Sequence, residues 1–125
     1  MNMAYGFEEI ASGCAGLPGG GNYGNRYDNV EVSVRKRGGA FRAVALHTWG
    51  SNQGYLEEQG REETAAWSAD PRAALDAVVL RAQRVIDHEA HRWLTLAASE
   101  CEEELEAYLA SDAEQGRHVP LGENP

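Results

Sequence analysis

Glycine and proline divide this chain into two unlike halves. Twelve of its 14 glycines lie in residues 1–60, and none lies between 61 and 115. No proline occurs between Pro71 and Pro120. The first half is therefore rich in turns, and residues 72–112 carry nothing that stops a helix. Asp70-Pro71 is a helix start, with an N-cap acceptor followed by proline at the first helical position. At about 100° per residue, Leu75, Val79, Ala82, Ile86, Trp93 and Ala97 share one stripe, flanked by Val78 and Leu96. A second apolar set, Cys101, Leu105, Tyr108 and Leu109, is rotated by about 100° from the first. One straight helix cannot aim both at a small core. Ser99-Glu100-Cys101-Glu102 fits a capping box, so a kink or break is expected near residues 97–100.

In the first half, Asn29 to Arg35 alternates apolar and polar side chains and is β-branched, as a half-buried strand is. Gly38-Gly39 supplies a two-residue hairpin turn, and Phe41 to Trp49 returns as the second strand. With Arg37 opposite Ala40, paired positions sum to 77. Val30, Val32 and Val34 then share the core face with Phe41, Ala43, Ala45, His47 and Trp49. Glu31, Ser33, Arg35, Arg42, Val44, Leu46 and Thr48 form the mixed opposite face. Residues 49–55 read as a polar loop between Trp49 and Tyr55, and a third strand is expected over about Glu63 to Ser68. Phe7 to Ala11 reads as a short helical turn, and residues 16–29 as a glycine-rich loop. The expected fold is α+β: a three-stranded antiparallel meander packed on a long, kinked C-terminal helix or helix pair. It occupies residues 1–112 as a single domain, with residues 113–125 as a disordered tail.

Several function classes fall away. No apolar run reaches the roughly 20 residues of a membrane span, so no membrane association is expected. The start lacks the charged and apolar regions of a secretory signal, and two cysteines without metal-ligand spacing make no disulfide framework. A cytoplasmic location is the simplest expectation. Gly19 to Gly24 matches G-x-G-x-x-G as a string, but a loop precedes it and a strand follows, which is the wrong context for a dinucleotide site. The element order α-β-β-β-α is that of double-stranded RNA-binding domains, yet the helix after the third strand opens on Asp70-Pro71-Arg72-Ala73-Ala74-Leu75-Asp76 rather than a basic terminus. With a net charge of −9, direct nucleic-acid binding is not expected.

That charge is located. Residues 1–60 hold 5 basic and 6 acidic residues, whereas residues 61–125 hold 6 and 14. The densest run is Glu100, Glu102, Glu103, Glu104 and Glu106, with no Lys or Arg from 99 to 114. Carboxylates three and four apart on a helix repel. A chain that keeps such a run is expected to use it as a negative surface for a basic partner, such as a groove that holds nucleic acid. Tyr108 is the expected aromatic anchor. By size and charge this is similar to phage- and plasmid-encoded inhibitors, anti-CRISPR proteins among them; that class analogy implies a non-enzymatic inhibitor without cofactors.

Two other readings stand beside it. His47 on the hairpin and Glu89 on the helical stripe would form an acid–base pair if they met, with Trp49 and Tyr55 lining a small-ligand site. Val44 and Leu46, with the second helical stripe, would form a homodimer seam. Asp87, His88 and His91 offer a carboxylate and two imidazoles, but the spacing is not HExxH and a further ligand is needed, so no metal is expected. Cys101 among glutamates is expected to be a poor nucleophile.

Overall fold

A computed structural model describes residues 7–17, 25–53 and 56–118, by their backbone alone at 25–26, 51–53, 56–58 and 114–118. The order is β1 (Glu8–Leu17), β2 (Asn25–Arg37), β3 (Ala40–Gln53), β4 (Leu56–Ser68), α1 (Pro71–Val85), a 3-10 turn (His88–Ala90) and α2 (His91–His118). The strands form one antiparallel sheet in the order β1-β2-β3-β4. Both helices cover the same face, α1 over β3 and β4, α2 over β1 and β2. The fold is α+β, with four strands rather than three.

The hairpin register is the expected one. Arg37 pairs with Ala40, Val34 with Ala43, Val32 with Ala45 and Val30 with His47. Gly38 takes φ +60°, the conformation that a tight hairpin turn requires and that side chains disfavour. The valines and alanines of the inner face are fully buried. Opposite them lie Ala74, Leu75, Val78 and Ala82 of α1, and Leu94, Ala97, Cys101 and Leu105 of α2. Alanine on both layers lets the helix backbones approach the sheet, and the larger Leu and Val fill the remaining space.

The differences from the sequence reading have physical causes. Phe7 to Ala11 is not helical: residues 8–17 are an edge strand. Its period-two alternation is broken by a β-bulge between Glu9 and Ala11, which buries Ile10 and Ala11 in succession. The loop assigned to 16–29 shrinks, because Gly16 and Leu17 belong to β1 and residues 25–29 to β2; residues 18–24 lie outside the described residues. The 49–55 loop is strand through Gln53, and β4 begins at Leu56. The tail is helical to His118, and residues 119–125 lie outside the described residues.

The helical break lies at residues 86–90, not 97–100. Asp70 accepts from the Arg72 N–H and starts α1 as expected. Ile86 then turns extended, and Asp87 accepts from the Glu89 N–H to open the 3-10 turn. The break resets the helical phase, so the buried stripe of α2 is Leu94, Ala97, Cys101 and Leu105 while Leu96 is 54% exposed. The capping-box residues Ser99 to Glu102 lie inside a continuous helix.

Candidate interaction surface

α2 lies along β1, the open edge of the sheet. Gly13 makes that approach possible: a Cβ there would stand 2.1 Å from the Ala97 carbonyl oxygen and 2.6 Å from the Cys101 nitrogen. An edge strand leaves every second N–H without a strand partner. Here the Ser12 N–H donates to Glu104 Oε1 and the Cys14 N–H donates to Glu100 Oε1, both at 2.8 Å. The match is metric. Residues four apart on a helix rise about 6 Å, close to the roughly 6.8 Å between alternate N–H groups of a strand. Two glutamates of the acidic run therefore occupy backbone donors that another strand would otherwise take.

A third is neutralised. Glu106 accepts two hydrogen bonds from Arg72 of α1, from Nε and Nη2, both at 2.6 Å. This pairing pushes the Glu106 carboxyl down and the Arg72 guanidinium up from their ordinary values. A carboxyl lowered in the folded state contributes stability above its unfolded pKa, and loses it as pH falls through the folded value. Arg72→Gln should therefore flatten the acid limb of a stability-versus-pH curve below about pH 4.5; identical limbs in urea titrations of both proteins would contradict the pairing. Tyr108 accepts a hydrogen bond from Lys36 Nζ at 3.4 Å, the main cause of a raised Lys36 pKa.

Glu102 and Glu103 are exposed on α2 and make no ion pair with any described residue. Glu100 and Glu104 bond backbone N–H groups, which bring no opposing charge to the run. The field is felt nearby: burial first, then Glu104, Glu9 and Glu100, push the Cys101 thiol up to about 12. Cys14 is exposed. A native thiol-disulfide reagent should modify Cys14 and spare Cys101 until the chain unfolds; rapid labelling of both would contradict this. A thiol raised in the folded state also contributes stability below its unfolded pKa near 9, lost as pH rises toward 12.

The second candidate set is rearranged. His47 does not meet Glu89. Its Nε2–H donates to Asp28 Oδ1 at 2.8 Å, with His47 1% and Asp28 5% exposed. Trp49 stacks on the His47 ring at 4.8 Å between centroids. Glu89 is exposed on the 3-10 turn and shares a cleft with Asp28, Arg92 and Trp93. Tyr55 lies outside the described residues. Asp28 was hidden by its assignment to a loop, yet the 77-sum register extends to it. That register places it opposite Trp49, one diagonal step from His47.

Asp87, His88 and His91 do not share one helical face, because the break falls among them. His91 Nε2 lies 3.1 Å from the Ile86 carbonyl oxygen, and the two imidazoles stand 5.0 Å apart. Among the described residues, no three His, Cys, Asp or Glu side chains gather to hold a metal. The expected homodimer seam is divided: Val44 and Leu46 are half-buried on the sheet face away from the helices, but Cys101 and Leu105 are buried in the core and present no seam. No helix among the described residues is long and apolar enough to cross a membrane.

Compared with known proteins, the chain matches no family model, no curated protein and no solved structure.

Proposed function

We propose that this chain is a small non-enzymatic interaction protein that docks the acidic side of α2 on a basic protein surface, of the kind that holds nucleic acid. The observation that supports this reading is the state of the acidic run. Of its five glutamates only Glu106 meets a cation among the described residues, so the negative field of Glu100, Glu102, Glu103 and Glu104 extends into solvent. Charge of this density raises encounter rates with a positive partner and falls off with salt. Glu102 and Glu103 are the contact residues in this reading; Tyr108, half-buried and engaged by Lys36, is a weaker anchor than its sequence position implied.

Charge reversal at Glu102 and Glu103 tests the reading without touching the strand caps. Tagged wild-type protein should capture a basic partner from its host at low salt and release it as salt is raised. The doubly reversed E102K/E103K protein should lose that partner while its thermal midpoint stays level or rises, since like-charge repulsion along α2 is relieved. Equal capture by both proteins would contradict the proposal.

A further inference from the structure

The sheet has a second edge, β4, remote from the acidic helix. It pairs with β3 in unbroken register from Leu56 to Ser68. A two-residue hairpin closes on a hydrogen-bonded pair, here Arg37 and Ala40, so even-numbered residues of β3 bond β2 and odd-numbered ones bond β4. Their partners Glu62, Thr64 and Ala66 point their backbone groups into the sheet. The N–H groups of Arg61, Glu63, Ala65 and Trp67 point out of it, and none has a hydrogen-bond partner among the described residues. On β1 the corresponding groups are taken by Glu104 and Glu100. On β4 the one such contact among the described residues comes from α1, where Arg81 Nη1 donates to the Ala65 carbonyl oxygen at 2.8 Å. A long strand edge without bulge or proline is a template for another strand.

Charge decides which strand fits. Arg81 and Glu62 make no ion pair with any described residue, and Glu62 lies on the helix-covered face, opposite His47. Thr64 Oγ1 is buried without a hydrogen-bond partner among the described residues. When β4 meets its own copy antiparallel, with Thr64 opposite Thr64, Glu62 falls opposite the partner's Ala66, beside the arginine that rests on Ala65. Two Glu62–Arg81 pairs then cross the seam, related by its two-fold axis. Arg61 falls opposite the partner's Trp67, and Glu63 opposite the partner's Ala65. Pairing Thr64 with the partner's Glu62 instead sets Glu63 against Glu63, and pairing it with the partner's Gly60 sets Glu62 against Glu62, both unfavourable. A turn about χ1 brings the two Thr64 hydroxyls together as a cross-strand hydrogen bond. The Ala65 carbonyl has two lone pairs, so it accepts from Arg81 and from the added strand.

The helical layer fits the same seam. α2 covers β1 and β2, and α1 covers β3 and β4, so neighbouring helices stand two strands apart, roughly 9.6 Å. Across a β4–β4 seam the two copies of α1 keep that spacing, which is within the usual 8–10 Å or so of packed helices. Arg81 marks the flank of α1 that faces the seam. Ala77 and Ala73, one and two turns before it, leave room for the second helix. We infer that β4 pairs with β4 of a second copy of this chain, Thr64 opposite Thr64, joining two four-stranded sheets into one continuous sheet.

Sedimentation and disulfide trapping of the full chain test the seam. Wild type is expected to show a monomer–dimer equilibrium at micromolar concentration. Arg81→Glu should raise its dissociation constant at least about tenfold. Arg81→Glu combined with Glu62→Arg should restore it, a rescue that general loss of structure would not allow. In a Cys14→Ser background, Thr64→Cys should oxidise to an intersubunit disulfide, because a non-hydrogen-bonded pair stands about 4.5 Å apart between Cα atoms, within disulfide range. Glu62→Cys should not, since its own copy lies about 13 Å along the strand. Circular dichroism checks that each variant is folded. A wild-type chain that stays monomeric from micromolar to millimolar concentration, or a Thr64→Cys variant that cross-links no faster than Glu62→Cys, would overturn the inference.

Discussion

Gly13→Ala should destabilise the protein by about 3 kcal/mol or more, the upper range for overpacking. The added Cβ would fall 2.1 Å from the Ala97 carbonyl oxygen and 2.6 Å from the Cys101 nitrogen, both backbone atoms that cannot rotate away. Relief requires α2 to lift from β1, which also draws Glu100 and Glu104 from the Cys14 and Ser12 N–H groups. Urea denaturation reads the loss directly. Gly39→Ala is the matching control, because a Cβ there meets nothing within 4 Å. Similar midpoints for Gly13→Ala and wild type would show that the helix does not sit against the strand as described.

Asp28→Ala should cost about 3 kcal/mol, for a different reason. It leaves His47 Nε2 without its acceptor in a site 1% exposed, and breaking a buried polar pair from one side leaves the other side's desolvation uncompensated. His47 Nδ1 has no hydrogen-bond partner among the described residues, so the Nε2 bond is the ring's one polar contact there. Asp28→Asn keeps an acceptor oxygen and should cost less. Replacing both partners, as in Asp28→Ala with His47→Phe, should recover part of the loss. If Asp28→Ala and the double variant unfold at the wild-type urea midpoint, the pair contributes nothing to the fold.

Legibility in the sequence tracked how local each signal was. The 29–49 hairpin was readable because alternation and the Gly38-Gly39 turn both act over a few residues, and they agree. The helix start at Asp70-Pro71 was readable for the same reason. β1 was not, since a bulge at Ile10 removes its alternation and its identity comes from pairing with β2. The helical break is not legible, because Asp87 caps a turn with no glycine or proline beside it, whereas Ser99 to Glu102 imitates a cap in mid-helix. A helix unbroken at residue 86 has the wrong phase for α2: it leaves Leu94 off the core stripe and puts Glu89 on it, whereas Leu94 is buried and Glu89 exposed.

The acidic run shows the same division. Its charge was legible, but the separate tasks of its members were not. Glu100 and Glu104 face an edge strand whose residues carry no strand alternation, and Glu106 reaches Arg72 across a gap of 34 residues. Glu102 and Glu103 remain as the pair whose charge has no described use within the chain.

A side-by-side comparison of two double variants addresses that division most directly, reading partner capture and thermal midpoint on the same preparations. Glu100→Gln with Glu104→Gln weakens the strand caps while leaving Glu102 and Glu103 in place; it should lower the midpoint and retain the basic partner. E102K/E103K should hold or raise the midpoint and lose that partner. A reversed protein that captures the same partner as wild type, at the same salt, would contradict the account.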